Sequence, residues 1–482
     1  MLSETFKYPK LLHYFEEISS IPRMSYHEDK IARYLVEFAE ARGLEYYTDE
    51  AHNVLINIGA TEGYEDSAPV LLQGHTDMVC QKNDGTEHDF MNDGLELYIE
   101  DGYLKARGTT LGADDGIAVA FMLALLDGAI EHHPRCQCLF TSAEEVGLDG
   151  IKSFDFSRIY AKKMFNMDGA EEDIIVVGCA GGLRTDVSLE AVKESVDDAV
   201  LVTVFIGGLV GGHSGEDIGK GRINACKLAG ELLRALAERC GARLVAFDGG
   251  NKDNAIPREA RLRVLVSSKR EAFDIVKAFE AQKKKELCAE DGGFFIEINT
   301  EDGISADAFG CSDTRRIAEF VNSVDNGVLR MSDKIEGLVE YSRNLGIVST
   351  KENGMMFYFS SRSSVESDLD LSANEIAATA ERFSGSASHH SRYPAWTYTG
   401  SSALADEYID TAKRLYGMSV TKTALHAGLE CGIVKERIPQ MEMVTCGANA
   451  RNIHSPAEAL ELASFERFFG ILCELLKNCR EK

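Results

Sequence analysis

Val70-Leu71-Leu72-Gln73-Gly74-His75-Thr76-Asp77-Met78-Val79 begins as a short apolar run and stops on glycine, histidine and aspartate. A run of that length bounded by glycine reads as a buried strand, so His75 and Asp77 fall where the strand ends. Two further stretches repeat the arrangement. Cys136-Gln137-Cys138-Leu139-Phe140-Thr141 leads into Glu144-Glu145-Val146-Gly147, and Met164-Phe165-Asn166 leads into Met167-Asp168-Gly169. Between them Thr110-Leu111-Gly112-Ala113-Asp114-Asp115-Gly116 opens a helix predicted over 115–126. Strands predicted at 54–58 and 174–177, and helices at 8–20 and 28–42, complete an α/β pattern. The polar residues then lie at the carboxyl edge of an open sheet, where sites form in such folds.

At 482 residues and 44% hydrophobic, the chain exceeds one ordinary core and is expected to divide into two or three domains. A net charge of -27 argues against a nucleic-acid partner or an anionic membrane surface, because phosphate would be repelled over most of the surface. No apolar stretch approaches the roughly 20 residues of a membrane span. Met1-Leu2-Ser3-Glu4 lacks the basic and apolar regions of a signal peptide. The twelve cysteines are scattered, mostly in apolar runs, with no C-x-x-C pair, and read as reduced thiols. Cys80, Cys431 and Cys446 read as packing residues. A cytoplasmic location is expected.

The metal-seeking side chains are His75, Asp114, Glu145, Asp168 and His454, with Glu144 beside one of them. Two imidazoles, two single carboxylates and one carboxylate able to bridge are what two zinc-like cations need if each is to keep room for water or substrate. The set therefore implies a two-metal hydrolase, with Glu144 as its base. Asp77, two places after His75, suits a carboxylate that orients the imidazole. Asp114 and Asp115 also suit a helix cap, and both roles are compatible. His454 sits in the polar loop Gly447–Ser455 before Pro456, which predicts a helix over 456–476.

His454 returns from far along the chain, which predicts an insertion. Residues 1–182 and 398–482 would form the catalytic domain, and 183–397 an inserted domain of α+β type. Its strands are predicted at 199–206, 261–266, 294–298 and 355–360, and its helices at 221–239, 271–287, 312–324 and 373–383. Asn254-Ala255-Ile256-Pro257 is loosely echoed by Asn344-Leu345-Gly346-Ile347, which raises an internal duplication.

In their order, H-T-D-M-V (75–79), T-T-L-G-A-D-D-G (109–116), T-S-A-E-E-V-G (141–147), N-M-D-G (166–169), G-G-H-S-G (211–215), H-A-G-L-E-C-G (426–432) and I-H-S-P (453–456) resemble the dinuclear zinc exopeptidases of the aminoacylase and carboxypeptidase type. The resemblance spans essentially the whole chain and is nearest to the aminoacyl-histidine dipeptidase branch. It implies a zinc-exopeptidase-like catalytic domain with an inserted lid domain of the dimerisation type. By the same resemblance, His75 and Asp168 hold one metal, Glu145 and His454 the other, and Asp114 bridges them. Asp77 orients His75, and Glu144 is the base. Asp115 stands where members of the family often have Asn, and the bridge is kept at Asp114.

In the inserted domain, His213 matches the lid histidine that polarises the scissile carbonyl. Arg362 of Ser360-Ser361-Arg362 matches the arginine that clamps a peptide's free carboxylate, with Asn344 nearby as a further substrate contact. A guanidinium fork suits that carboxylate. The function implied by the resemblance is that of a cytoplasmic metallo-dipeptidase on small unblocked peptides, Xaa-His dipeptides among them. It would use two divalent metals, zinc first with manganese or cobalt as alternatives, and act as a monomer or homodimer. An N-acyl amino-acid deacylase or a tripeptidase would share the metal site, and a non-catalytic peptide-binding relative is the reading from outside enzymes. Glu430 of the H-A-G-L-E-C-G stretch has no assigned role.

Overall fold

The strand Val70–His75 is buried at every position, and so is Cys136–Thr141. Burial on both faces is what parallel strands covered by helices require. In the computed structural model, which describes residues 6–480, these two strands lie in the middle of an eight-stranded sheet. Its order is Glu45–Thr48, Val54–Ile58, Cys136–Thr141, Val70–His75, Lys163–Gly169, Glu442–Gly447, Ile174–Cys179 and Thr421–Leu425. The four consecutive strands from Cys136–Thr141 to Glu442–Gly447 are parallel, and antiparallel pairs flank them. Every parallel strand therefore delivers its following loop to the same edge.

The helix Ala113–Leu126 buries every residue but Asp114, as a segment with no polar face should. It packs on Val70–His75 and Lys163–Gly169 and against the helix Pro9–Ser19. Gly74 permits this closeness. A Cβ there would lie 2.2 Å from Ala118 Cβ and 2.3 Å from Asp115 Oδ2.

The chain forms two compact units. One holds the residues up to Cys179 with Tyr398–Ala424 and Leu429 onward; the other holds Ala180–Thr397 and Leu425–Gly428. The change of unit falls just before the strand Gly181–Glu190, and the chain rejoins the second unit for four residues at 425–428. The second unit carries a sheet in the order Phe295–Phe309, Lys193–Gly207, Ala260–Val266, Arg243–Gly249, Val339–Lys351, Gly354–Ser363, Gly181–Glu190 and Gly385–Tyr393, with Gly327–Met331 beside Val339–Lys351. All its pairings are antiparallel. Its core joins Leu232, Leu236, Phe247, Phe309, Phe320 and Phe357, supplied by strands and helices alike.

Several sequence expectations differ from the structure in extent. The strand expected at 199–206 runs Lys193–Gly207, the one at 294–298 runs Phe295–Phe309, and the helix at 373–383 starts at Glu366. Half-exposed strands with alternating charges carry too weak an apolar signal to mark their ends. The helix expected from Pro456 is a turn and the short strand Ala459–Glu461, with the helix beginning at Leu462. The echo between residues 254–257 and 344–347 does not extend to structure. Ala255–Ile256 is a two-residue strand, whereas Asn344 lies inside the strand Val339–Lys351. Met1–Glu4, read for an export signal, lies outside the described residues. No helix among the described residues is long and apolar enough to cross a membrane, and among the described residues no disulfide joins any of the twelve cysteines.

Gly74→Ala tests the close approach of helix and sheet. Its methyl group has no room, so the variant is expected to lose about 3 kcal/mol of stability, at the upper end of overpacking costs, read as a lower denaturation midpoint. A midpoint equal to wild type would refute the tight contact.

Candidate active site

The carboxyl ends of the four parallel strands and the loops that follow them carry most of the polar residues singled out from sequence. His75 ends its strand, Glu144 and Glu145 follow Thr141, Asp168 is the penultimate residue of the strand Lys163–Gly169, and His454 follows Gly447. Asp114 comes from the start of the buried helix, where both it and Asp115 have non-helical backbone angles. The structure brings all of these together. His75 Nε2 lies 2.9 Å from Asp114 Oδ1 and 3.8 Å from Asp168 Oδ1. His454 Nε2 lies 3.1 Å from Asp114 Oδ2 and 3.1 Å from Glu145 Oε1. Asp114 thus turns one oxygen to each imidazole.

Asp115 has a different task. Its Oδ1 accepts from Ala118 N at 3.3 Å, capping the helix, and its Oδ2 accepts from His75 N at 3.2 Å. Asp115 takes the cap and Asp114 faces the imidazoles.

The electrostatics of this cluster are severe. Burial works to raise the Asp114 pKa, but hydrogen bonds from His454 and His75 hold it well below the ordinary carboxylate range. Burial pushes Asp168 and Glu144 upward, and neighbouring carboxylates add to the rise. Hydrogen bonds to Asp114 and Glu145 raise His454 to about 10. Burial opposes ionisation of His75, yet Asp114 and Asp77 raise its pKa. Protons are drawn onto a crowd of acids and imidazoles that needs positive charge.

A set of supporting residues fixes this geometry. His75 Nδ1 is 3.1 Å from the Asp77 backbone oxygen and 3.4 Å from its carboxylate, which leaves Nε2 for Asp114. The Asp77 carboxylate accepts from the amides of Glu144 and Glu145, at 3.1 and 3.3 Å, and from Ser25 Oγ at 2.7 Å. Buried Arg23 donates to the carbonyls of Thr76, Asp77 and Gly112. Glu458 accepts from the amides of Leu111, Gly112 and Ala113 at 2.7–2.9 Å, holding the loop that presents Asp114. Glu28 accepts from Ala143 N at 2.9 Å. The sequence reading missed Ser25, Glu28, Arg23 and Glu458, none of which falls within the motifs that carry the ligands.

Glu430, unassigned from sequence, is fully buried beneath the cluster. It accepts from Gln73 Nε2 and, at 2.9 Å, from Thr141 Oγ1, while its Oε1 has no partner. Burial raises its pKa to about 7. The thiols of Cys80, Cys431 and Cys446 are all pushed upward by burial, which suits packing residues.

In the second unit, the strand Gly212–His213 pairs with Ala255–Ile256. His213 Nε2 lies 3.5 Å from Arg362 Nη2, and Arg362 Nη1 donates to Tyr393 Oη at 2.7 Å. Arg362 is 5% exposed, and its Nε has no hydrogen-bond partner. No carboxylate pairs with it among the described residues. Arg184, two positions beyond Gly182 in the neighbouring strand, is by contrast paired with Asp253 at 2.5 Å. Asn344, expected as a substrate contact, is spent inside the protein: its Nδ2 donates to Ala255 O at 2.8 Å and its Oδ1 accepts from Asn224 at 3.2 Å. It supports the segment that pairs with His213.

Ligand atoms on a tetrahedral zinc, at about 2.0–2.2 Å from the ion, lie about 3.3–3.6 Å apart. The spacings at Asp114 are close to this. The ligand atoms of His75, Asp114 and Glu145 all lie within 4.8 Å of one another, as do those of His75, Asp115 and Asp168. Imidazole nitrogens and carboxylate oxygens without sulfur suit zinc, manganese or cobalt, so the residues present fit divalent metal binding.

A parallel-centred sheet with acids and imidazoles at its carboxyl edge, joined to an antiparallel second unit, is the frame of a metal-binding hydrolase. The chain belongs to the peptidase family M20/M25/M40, whose sequence profile matches residues 71–478. It is 35% identical over 473 residues to the cytosol non-specific dipeptidase of Escherichia coli (strain K12), covering 97% of each chain. Its structure is similar to the aminoacylhistidine dipeptidase from Vibrio alginolyticus, with a TM-score of 0.89 and 34% identity over 99% of this chain and 98% of that one. A tripeptidase from Staphylococcus aureus shares the fold, with a TM-score of 0.55 and 17% identity over 99% of this chain and 100% of that one.

Glu458 gives the direct test of the scaffold. Glu458→Ala leaves three buried amides without an acceptor and is expected to cost about 3 kcal/mol or more, whereas Glu458→Gln, which keeps one carbonyl oxygen, should lose less. Denaturation of both variants checks the order, and equal stabilities would refute the assignment.

Proposed function

We propose that the chain is a metal-dependent dipeptidase acting on unblocked dipeptides, Xaa-His peptides among them, in a cytoplasmic setting. The observation that carries this reading is the Asp114 carboxylate with one oxygen toward His75 and the other toward His454. His75 and Asp168 would hold one divalent cation, Glu145 and His454 the other, with Asp114 between them. Bound there, the cations would supply Lewis acidity toward a peptide carbonyl and toward water. Zinc is the first choice.

Glu144 takes the proton of the attacking water and returns it to the departing amine. Asp77 orients His75 and, by accepting from the amides of Glu144 and Glu145, fixes base and ligand relative to each other. His213 polarises the scissile carbonyl. Its pKa is lowered by burial and by Arg362, so it acts as a neutral imidazole whose N–H can donate. Arg362, a buried guanidinium without an acid, takes the free carboxylate of the peptide. These assignments draw support from the 35% identity to a dipeptidase along 97% of the chain.

A panel of Xaa-His dipeptides, other dipeptides, tripeptides and N-acetyl amino acids tests the substrate class. Dipeptides are expected to turn over fastest, chelation to abolish turnover, and zinc, manganese or cobalt to restore it; full activity in a verified metal-free sample would refute the scheme. Glu144→Gln should retain bound metal and lose turnover by orders of magnitude, since it removes the proton carrier alone. A near-wild-type rate would show that Glu144 is not the base.

A further inference from the structure

Tyr393 ends the edge strand of the second unit's sheet and lies opposite Gly182, while Gly182 lies opposite Arg362 on the next strand, which in turn lies opposite Ser342. These four positions make one transverse row across the sheet. A Cβ on Gly182 would lie 2.3 Å from Tyr393 Cζ and 2.4 Å from its Oη, and a Cβ on Gly428 would lie 2.8 Å from Cε2 of the same ring. Neither glycine has a positive φ. Backbone conformation therefore does not call for glycine at either place, and space for the ring does. Two glycines from separate parts of the chain leave a slot for the ring, and from it the hydroxyl reaches Arg362 Nη1 at 2.7 Å.

That contact decides which edge of the guanidinium is left without a partner. With Nη1 engaged by Tyr393, the edge formed by Nε and Nη2 is left with an unpartnered Nε and a neutral imidazole 3.5 Å from Nη2. His426, whose Nε2 lies 2.7 Å from Ser342 Oγ at the other end of the row, is also kept neutral, its pKa pushed down to about 3 by burial and by Arg362. The guanidinium is the row's one fixed positive charge, which suits a single carboxylate.

We propose that Tyr393 is a positioning residue for recognition of the substrate carboxylate: from a slot kept clear by Gly182 and Gly428, its hydroxyl anchors Arg362 by Nη1 and turns the Nε–Nη2 edge to the ligand. The inference rests on the carboxylate-binding role proposed for Arg362 and adds the residues that set its orientation.

Tyr393→Phe removes the anchor and keeps the ring. Its KM for a free dipeptide is expected to rise about tenfold, the lower end of the loss of a hydrogen bond to a charged group, with kcat within about twofold of wild type. The KM for the corresponding dipeptide amide should not change. Gly182→Ala and Gly428→Ala, which displace the ring, should reproduce that pattern. Arg362→Ala on the same substrate pair separates the two levels of the argument. If Arg362→Ala discriminates between acid and amide while Tyr393→Phe does not, the positioning role is wrong and the clamp stands. If Arg362→Ala affects both substrates alike, the clamp is wrong and the positioning role falls with it. A Tyr393→Phe effect confined to kcat, or equal for the two substrates, would also overturn the inference.

Discussion

Like charges crowded into a poorly hydrated space are the constraint on which the first unit depends. Asp114, Glu144, Glu145 and Asp168 converge with Asp77 and Asp115 close behind, and His75 and His454 are the imidazoles set among them, with the Arg23 guanidinium near Asp77 and Asp115. Without cations the cluster draws protons, as the upward shifts of Asp168, Glu144 and His454 indicate. A site under such repulsion would spread if its loops were free to move. Backbone amides prevent this: Asp77 ties two of them, Glu458 three, and Arg23 binds the carbonyls of the same loops. The scaffold is thus itself built from buried charges, each compensated by the peptide groups of the loops it holds.

The second unit solves a different problem with the same means. Its sheet presents two arginines close together, one paired with Asp253 and one with no acid. Burying an unpaired guanidinium is unfavourable unless an anion arrives, and the protein retains it beside two imidazoles kept neutral by burial. Asn344 holds the Ala255 segment, and that segment pairs with His213. The result is a rigid polar row in which a single positive charge stands ready.

Much of the first unit could be read from sequence because its central strands are short, apolar and buried on both faces, so that their ends coincide with a change from apolar to polar residues. His75, Glu145 and Asp168 stand at or just past those changes. The second unit was harder to read. Gly181–Glu190 alternates buried and half-exposed residues, and Gly385–Tyr393 is an edge strand rich in serine and histidine, so neither offers an apolar run. The supporting residues escaped for another reason. Glu458 and Arg23 look like ordinary surface charges, and only their burial against loops hundreds or tens of residues away gives them meaning. Asn344 is expected from sequence to contact substrate, whereas its amide bonds the Ala255 carbonyl and Asn224, because pattern alone cannot tell whether an amide faces substrate or a neighbouring backbone.

One layer of the site was visible in the sequence without being recognised. Along a strand, residues two apart face the same side. Gln73 precedes His75 by two, and Gln73 and Asn166 are register partners on adjacent strands. Asn166 Nδ2 donates to Gln73 Oε1 at 2.7 Å, Gln73 donates to Thr141 at 3.1 Å, and Glu430 accepts from both Gln73 and Thr141. The strands that bear His75 and Asp168, and the one that leads into the two glutamates, are therefore cross-linked by buried side chains. Polar groups in the middle of an apolar sheet are costly unless bonded to one another, and here the bonding fixes the register on which the spacing of the cluster depends.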